Sequence, residues 1–370
     1  MDAGCRGEVS PLEFSPSIGY AAAAHASFGF GGCISREPFR AVRPYARQGT
    51  KMYKFLIVEP LHAAAMRLLD ERPDVTYEVI ENPNERLLVG CIGDVDAMTI
   101  RVSPLSPAVL TAAKRLKIVS RHGVGYDNVP IDACNRLGIP VTIVGATNAV
   151  SVAEHTIYLM LAVAKQSVAS MACARSGSFA GRGKLRGMEL FGKTLLIAGY
   201  GRIGRQVSTR AKALGMRIVV YDPYAPPDAL SGLRVVDSLA DGLRIANVVT
   251  LHLPLTKTTR NMLGSDELAL LPKGSIVVNA SRGGILCETA LLEAIESGSV
   301  FGAGLDVFAQ EPVPAGSPLL NSDRIVLSPH SAALTEESLV AMGKATVQNA
   351  LDAVDGRLNV DNVVNPEILG

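Results

Sequence analysis

The stretch KTLLIAGYGRIGRQVSTRAKALGMRIVVYD, residues 193–222, leaves the chain few ways to fold. An apolar run over 194–198 reads as a buried parallel strand. It breaks into Gly199-Tyr200-Gly201-Arg202-Ile203-Gly204. A helical pattern follows, with Ile203, Val207, Ala211 and Leu214 on one face. A second apolar run over 218–221 ends in Asp222. Each glycine has a separate reason. Gly199 permits the tight turn, Gly201 lets the backbone approach a pyrophosphate, and Gly204 lets the helix pack close to the strand. The helix N-terminus offers free N–H groups and a partial positive charge to an anion. Glycines also mark ordinary turns, but here the strand, the helix and the acid all agree.

Asp222 stands eighteen residues past Gly204, where a carboxylate can accept the hydroxyls of a ribose. Its charge repels a 2′-phosphate, and Pro223, Tyr224 and Ala225 bring no cation. The expected cofactor is therefore NAD rather than NADP.

At 370 residues the chain suggests two domains, and 48% hydrophobic residues suffice for sizeable cores. A net charge of +1 implies no surface for nucleic acid. Six scattered cysteines without a CxxC fit a reducing cytoplasm and argue against a metal site or a disulfide frame. The apolar run at 160–164 is bracketed too closely by Glu154, His155 and Lys165 to span a membrane. Residues 1–51, rich in Gly, Ser, Pro and Ala, read as a disordered extension or an over-extended start ahead of Met52.

From Met52 strands alternate with helices, so an α/β sheet is expected. The strands fall at 55–59, 75–80, 97–100, 118–120 and 141–143. Helices are expected over 61–70 and 108–115. Ligands gather at the carboxyl ends of strands in such sheets. Arg101 follows the third strand, and Arg121-His122-Gly123-Val124-Gly125-Tyr126-Asp127-Asn128 overlies the end of the fourth. The backbone N–H groups of that loop suit a carboxylate. On position alone, Arg101 is equally well a surface cation and His122 a packed loop residue. A long, buried helix is expected over 148–169, with Ser151 and Glu154 spaced as a capping box. Residues 173–190 read as a Gly/Arg-rich loop.

Beyond Asp222, further strands are expected at 248–251, 275–279, 302–305 and 325–327. Each runs into polar groups: His252-Leu253, Ala280-Ser281-Arg282, Asp306 with Glu311 close behind, and Ser328-Pro329-His330. All would lie on one rim beside the cofactor. Hydride exchange at a 2-hydroxy acid needs a cation for the carboxylate, a proton donor and acceptor, and a nicotinamide. Arg282 supplies a planar fork that matches a carboxylate. His330 exchanges protons near neutral pH. Glu311 can hold the second imidazole nitrogen and favour the protonated ring. A helix over 335–352 returns the chain to its first half.

Together LIAGYGRIGR, HLPLTKTTRNML, VVNASRGG, GAGLDVFAQEP and LSPHSA, in this order, resemble the D-2-hydroxyacid dehydrogenase family. RHGVGYDNV and NAVSVAEH match its phosphoglycerate dehydrogenase and hydroxypyruvate/glyoxylate reductase branch. The resemblance covers about residues 54–355. It implies a Rossmann NAD-binding domain, residues 151–332, inserted into a flavodoxin-like substrate domain made of 52–150 and 333–370. It implies a homodimer acting on a small 2-oxo or 2-hydroxy acid. Arg282 would bind and polarise the substrate, with His330 as acid/base and Glu311 as its partner. The substrate carboxylate would meet Val124 and Gly125, with Arg101 nearby. Cofactor contacts would come from Val124, Arg202, Ile203, Asp222, Leu253, Ala280, Arg282, Asp306 and His330, with the three turn glycines and Ser281 beside them.

Departures from the pattern are informative. Cys287 stands where an acid is usual, and the aromatic usual near Phe179-Ala180 is missing. Only 355–370 follow the closing helix, so the regulatory domain of longer phosphoglycerate dehydrogenases, and control by serine, are not expected. Arg182, Lys184 and Arg186 are open candidates for a substrate phosphate. Glu311 counts against formate dehydrogenases, which pair the histidine with an amide. Corepressor relatives keep the same site residues, so an NAD-sensing interaction protein is the alternative reading.

Overall fold

The computed structural model describes residues 51–177 and 179–370. The expected N-terminal extension lies, but for Lys51, outside the described residues.

Two parallel sheets carry the fold. The first comprises β1 (Tyr53–Val58), β2 (Val75–Ile80), β3 (Ala97–Ile100), β4 (Val119–Arg121) and β5 (Val141–Thr142). Their spatial order is β2-β1-β3-β4-β5, the flavodoxin-like order. The second comprises β6 (Thr194–Ala198), β7 (Arg217–Tyr221), β8 (Arg234–Val235), β9 (Val248–Leu251), β10 (Ser275–Asn279), β11 (Val300–Leu305) and β12 (Ile325–Leu327). Read from β8, their order is β8-β7-β6-β9-β10-β11-β12, the Rossmann order with one added strand. The chain is therefore an α/β protein with a Rossmann sheet.

Every residue of β6, β9 and β10 is buried, which is why these strands are continuous apolar runs rather than alternating ones. Apolar clusters line both faces of the second sheet. The helix Ala149–Ala164 covers one face. It comes close because β11 offers glycine: a Cβ on Gly304 would stand 2.7 Å from the Leu159 Cβ. Leu159 is fully buried, and its truncation to Ala would cost about 2–5 kcal/mol.

The expected helix over 148–169 is broken. It ends at Ala164, Gln166 turns left-handed at φ 50°, and a second helix runs Ser167–Arg175. The expected capping box is also absent. The helix starts at Ala149 after Asn148, and Ser151 Oγ instead donates to the Ala332 carbonyl at 2.7 Å. Glu154 pairs with Arg210 at 3.1 Å. Part of the expected loop over 173–190 is this second helix, and part is a short turn of helix, Ala180–Lys184.

The last helix, Glu336–Val354, packs on the first sheet through Val347, Ala350, Leu351 and Val354. A Cβ on Gly343 would lie 3.0 Å from the Ala65 Cβ of the helix Ala63–Asp70. The chain thus leaves the first sheet, builds the second, and returns. Its tail then closes the β5 edge, which would otherwise expose unpaired main chain. Val363 bridges Thr142, and fully buried Asn365 accepts the Val141 N–H at 2.8 Å. No single helix among the described residues is long and apolar enough to cross a membrane.

The register aligns the carboxyl ends of the second sheet. Tyr221, Ala198, Leu251, Asn279, Leu305 and Leu327 pair across it in one row. The residues immediately after them are Asp222, Gly199, His252, Ala280, Asp306 and Ser328. In the first sheet, Val58, Ile100 and Arg121 share a row in the same way.

Candidate active site

A cleft of about 1250 Å³ is lined by residues from both rows of strand ends. Its second-sheet wall begins with the glycine turn. Gly199 has φ 96°, and a Cβ there would strike the His252 carbonyl. A Cβ on Gly204 would strike the Gly199 carbonyl. Gly201, at the N-cap of the helix Arg202–Ala213, faces open space where its Cβ would be. Gly201, Arg202 and Ile203 line the cleft; Gly199, Gly204 and Asp222 do not. The Asp222 carboxylate accepts the N–H groups of Tyr200 at 2.7 Å, Tyr224 at 2.9 Å and Ala225 at 3.1 Å. This ties the end of β7 to the glycine turn. A carboxylate has about four acceptor sites, so room for a ribose hydroxyl remains. The residues therefore fit the dinucleotide that the sequence implies.

Leu253, Ala280, Ser281 and Arg282 continue the wall. Asn279, buried at the end of β10, shapes this turn. Its side-chain oxygen accepts from Ser281 N at 3.1 Å and Ser281 Oγ at 2.9 Å, and its Nδ2 donates to the Arg282 carbonyl at 2.9 Å. Arg282 reaches across the cleft. Its Nε donates to Asp127 Oδ2 at 2.7 Å, its Nη1 to the Ser281 carbonyl at 2.6 Å, and its Nη2 lies where a Cβ on Gly125 would be.

His330 and Glu311 meet as expected: Nδ1 and Oε2 are 2.8 Å apart, both side chains part-exposed. The other Glu311 oxygen accepts the Phe308 N–H at 3.0 Å. Partial burial works against the Glu311 charge. The bonds from His330 and Phe308, with the charges of His330 and Arg282, overcome it and hold the pKa below the usual glutamate range. His330 sits at φ 52°, a strained conformation for a residue with a side chain. Asp306 holds it there. The Asp306 carbonyl accepts the His330 N–H at 2.8 Å, and its buried carboxylate accepts Ser331 N, Ala332 N and Ser328 Oγ at 2.8, 3.0 and 2.6 Å. His155 Nε2 lies 2.7 Å from Ser328 Oγ behind this loop.

On the first-sheet wall, Arg101, Val124 and Gly125 line the cleft. Arg101 Nη1 donates to the Pro60 carbonyl at 2.8 Å. The carboxylate of Glu59 accepts N–H groups from Arg101, Val102 and Ser103. His122 is a packed residue: burial, then the charges of Arg101 and Arg121, push its pKa down to about 4. His252, half-buried after β9, falls to about 3 because its ring is shielded from water, so both rings are neutral near pH 7.

Two residues of this wall had no assigned part in the sequence reading. Arg121 lies over Gly123, at φ 141°, and donates to the His122 carbonyl. Burial, then the nearby Arg282 charge, lowers its pKa to about 10, which leaves it charged near neutrality. Asp127 is the other. Their signal was there, since both belong to the loop at the end of β4, but charged loop residues are common. Arg182, Lys184 and Arg186 do not line the cleft.

Fold and cleft together define a class: a dinucleotide-binding α/β protein with a polar site between two parallel sheets. Residues 157–332 match the family model described as D-isomer specific 2-hydroxyacid dehydrogenase, NAD binding domain. D-3-phosphoglycerate dehydrogenase of Methanocaldococcus jannaschii is 39% identical over 317 residues, covering 85% of this chain and 60% of its own length. A glyoxylate reductase structure from Paecilomyes thermophila is 32% identical with a TM-score of 0.77, covering 85% of this chain and 99% of its own. A D-lactate dehydrogenase structure from Aquifex aeolicus, complexed with NAD and lactic acid, is 26% identical with a TM-score of 0.76, covering 84% and 98%. The chain belongs to the D-isomer specific 2-hydroxyacid dehydrogenase family and carries its NAD-binding domain. It spans about 60% of the length of the curated phosphoglycerate dehydrogenases it matches.

Proposed function

We propose that the chain is an NAD-dependent oxidoreductase that interconverts a D-2-hydroxy acid and its 2-oxo acid. One observation carries the reading: Arg282 and the Glu311–His330 pair line one cleft beside the glycine turn. Bound NADH would supply the hydride to the 2-oxo carbon. Arg282 and the Val124–Gly125 backbone hold the substrate carboxylate. With Nδ1 engaged by Glu311, His330 uses Nε2 to give a proton to the substrate oxygen, and takes it back in the oxidising direction. Glu311, kept ionised by its lowered pKa, fixes the ring and favours its protonated form. In the cofactor site, Gly201, Arg202 and Ile203 receive the pyrophosphate, and Asp222 takes the ribose and disfavours NADP. Val124, Leu253, Ala280 and Ser281 complete the cofactor wall, and Asp306 holds the His330 loop against it.

In this reading, 52–150 and 333–370 form the substrate domain and 151–332 the cofactor domain. The substrate is an acid with a second anionic group, since Arg101 and Arg121 line the cleft beside Arg282. The subunit pairs with a second copy through the helix Ser167–Arg175, which buries none of its residues and exposes Met171, and the exposed Phe179 that follows it. The thiols of Cys91, Cys134 and Cys287 suit a reducing cytoplasm.

The test is NADH oxidation against glyoxylate, pyruvate, hydroxypyruvate and 3-phosphohydroxypyruvate, with NADPH in parallel. Turnover with NADH, best with the phosphorylated acid, is expected. No turnover with any of the four would overturn the reading in favour of a dinucleotide-sensing protein.

A further inference from the structure

The ion pair between Asp127 and Arg282 joins the two walls of the cleft. Asp127 belongs to the loop after β4 of the first sheet, and Arg282 to the turn after β10 of the second. Their side chains meet at 2.7 Å while remaining 46% and 27% exposed. The geometry of this pair is selective. Asp127 takes the Nε proton of the guanidinium. The Ser281 carbonyl takes one from Nη1, and Nη2 lies against Gly125, the one position where the absence of a Cβ admits it. A guanidinium is planar and rigid, so fixing its Nε edge fixes where the other edge points.

We infer that Asp127 is a positioning residue for Arg282: by holding Nε it turns the Nη edge of the fork toward the carboxylate site at Gly125. This rests on the reading of Arg282 as the carboxylate-binding cation. The opposite role for the same contact is competition, in which Asp127 occupies the arginine until a substrate carboxylate displaces it. The two differ in sign. Positioning makes loss of Asp127 weaken carboxylate binding, whereas competition makes it tighten. The geometry favours positioning, because Asp127 engages Nε and leaves the Nη2 arm over the Gly125 backbone. A charge-assisted bond to a preset donor is short and directional, so a swing of the fork loses much of it.

The experiment titrates oxalate, an unreactive dicarboxylate, into the full chain saturated with NADH. Asp127→Ala should weaken oxalate binding about tenfold. Asp127→Asn should recover part of the loss, because its side-chain oxygen still accepts the Nε proton. NADH affinity and the unfolding temperature should stay at wild-type values in both. In an Arg282→Lys background, which keeps the charge but lacks Nε, Asp127→Ala should change oxalate binding little. Equal or tighter oxalate binding by Asp127→Ala would overturn the inference. So would the same loss in the Arg282→Lys background, which would mean that Asp127 acts independently of the fork. Wild-type oxalate affinity in Arg282→Ala would instead show that Arg282 does not bind the carboxylate, and would remove the basis of the inference with it.

Discussion

Asn279 and Asp306 on the second-sheet wall are 2% and 1% exposed, and each spends its side chain on holding a turn. The first-sheet wall is built differently. Arg101 and Arg121 rest on main-chain carbonyls, and Glu59, left-handed at φ 68°, gathers three N–H groups at an incompletely buried loop. One wall is anchored by buried side chains and geometrically over-determined. The other is dense in charge and partly open to solvent. The difference matches two tasks. Proton and hydride transfer tolerate little displacement, so their groups need supporting hydrogen bonds that are shielded from water. Substrate selection needs charge at the right distance, which part-exposed arginines provide. Substitutions on the second wall should therefore alter rate or folding, and those on the first should alter substrate preference.

The largest expected effect lies on the second wall. His330→Ala should lower kcat about 10³-fold while NADH affinity, followed by fluorescence titration, stays near wild type. Near-normal turnover would remove the proton-transfer role. Next comes the glycine turn. A Cβ on Gly204 would meet the Gly199 carbonyl, so Gly204→Ala should destabilise the chain by about 2 kcal/mol in urea unfolding. Gly201→Ala, with open space at that point, should leave stability nearly unchanged and weaken NADH binding instead. Equal destabilisation by both would erase the distinction between packing and approach.

On the first wall, Arg101→Ala should raise KM for 3-phosphohydroxypyruvate about tenfold and leave KM for glyoxylate nearly unchanged. A uniform rise would mean that Arg101 serves the carboxylate that all these acids share. The smallest effect concerns Glu311. Its folded pKa is lowered, so its charged form stabilises the fold above the unfolded-state value of about 4.3, and that stabilisation is lost as pH falls through the folded value. Wild type should be slightly more stable than Glu311→Gln at pH 7, and the gap should close below the ordinary glutamate range. A gap that widens in acid would contradict the lowered pKa.

Local pattern made the second wall readable. The glycine turn, Asp222, Arg282, Glu311 and His330 all follow apolar runs, and aligned strand ends put such residues on one rim. What pattern did not reveal depends on partners distant in sequence. Ser151 has the spacing of a cap but bonds the carbonyl of Ala332, far along the chain. The helix break at Gln166 has no proline or glycine to announce it. Asn365 looks like an ordinary tail residue, yet its burial depends on the open edge of β5. Arg121 and Asp127 gain meaning only when the second sheet brings Arg282 opposite them. His155, which the sequence marks only as a polar residue on a long apolar helix, lies behind the His330 loop through its bond to Ser328.

The most direct measurement of the central claim is the product itself. The chain would be incubated with NADH and the best of pyruvate, hydroxypyruvate and 3-phosphohydroxypyruvate, whose products are chiral, and the 2-hydroxy acid formed resolved on a chiral column. The account predicts the D enantiomer in one-to-one ratio with NADH consumed. Consumption of NADH without a hydroxy acid, or formation of the L enantiomer, would contradict it.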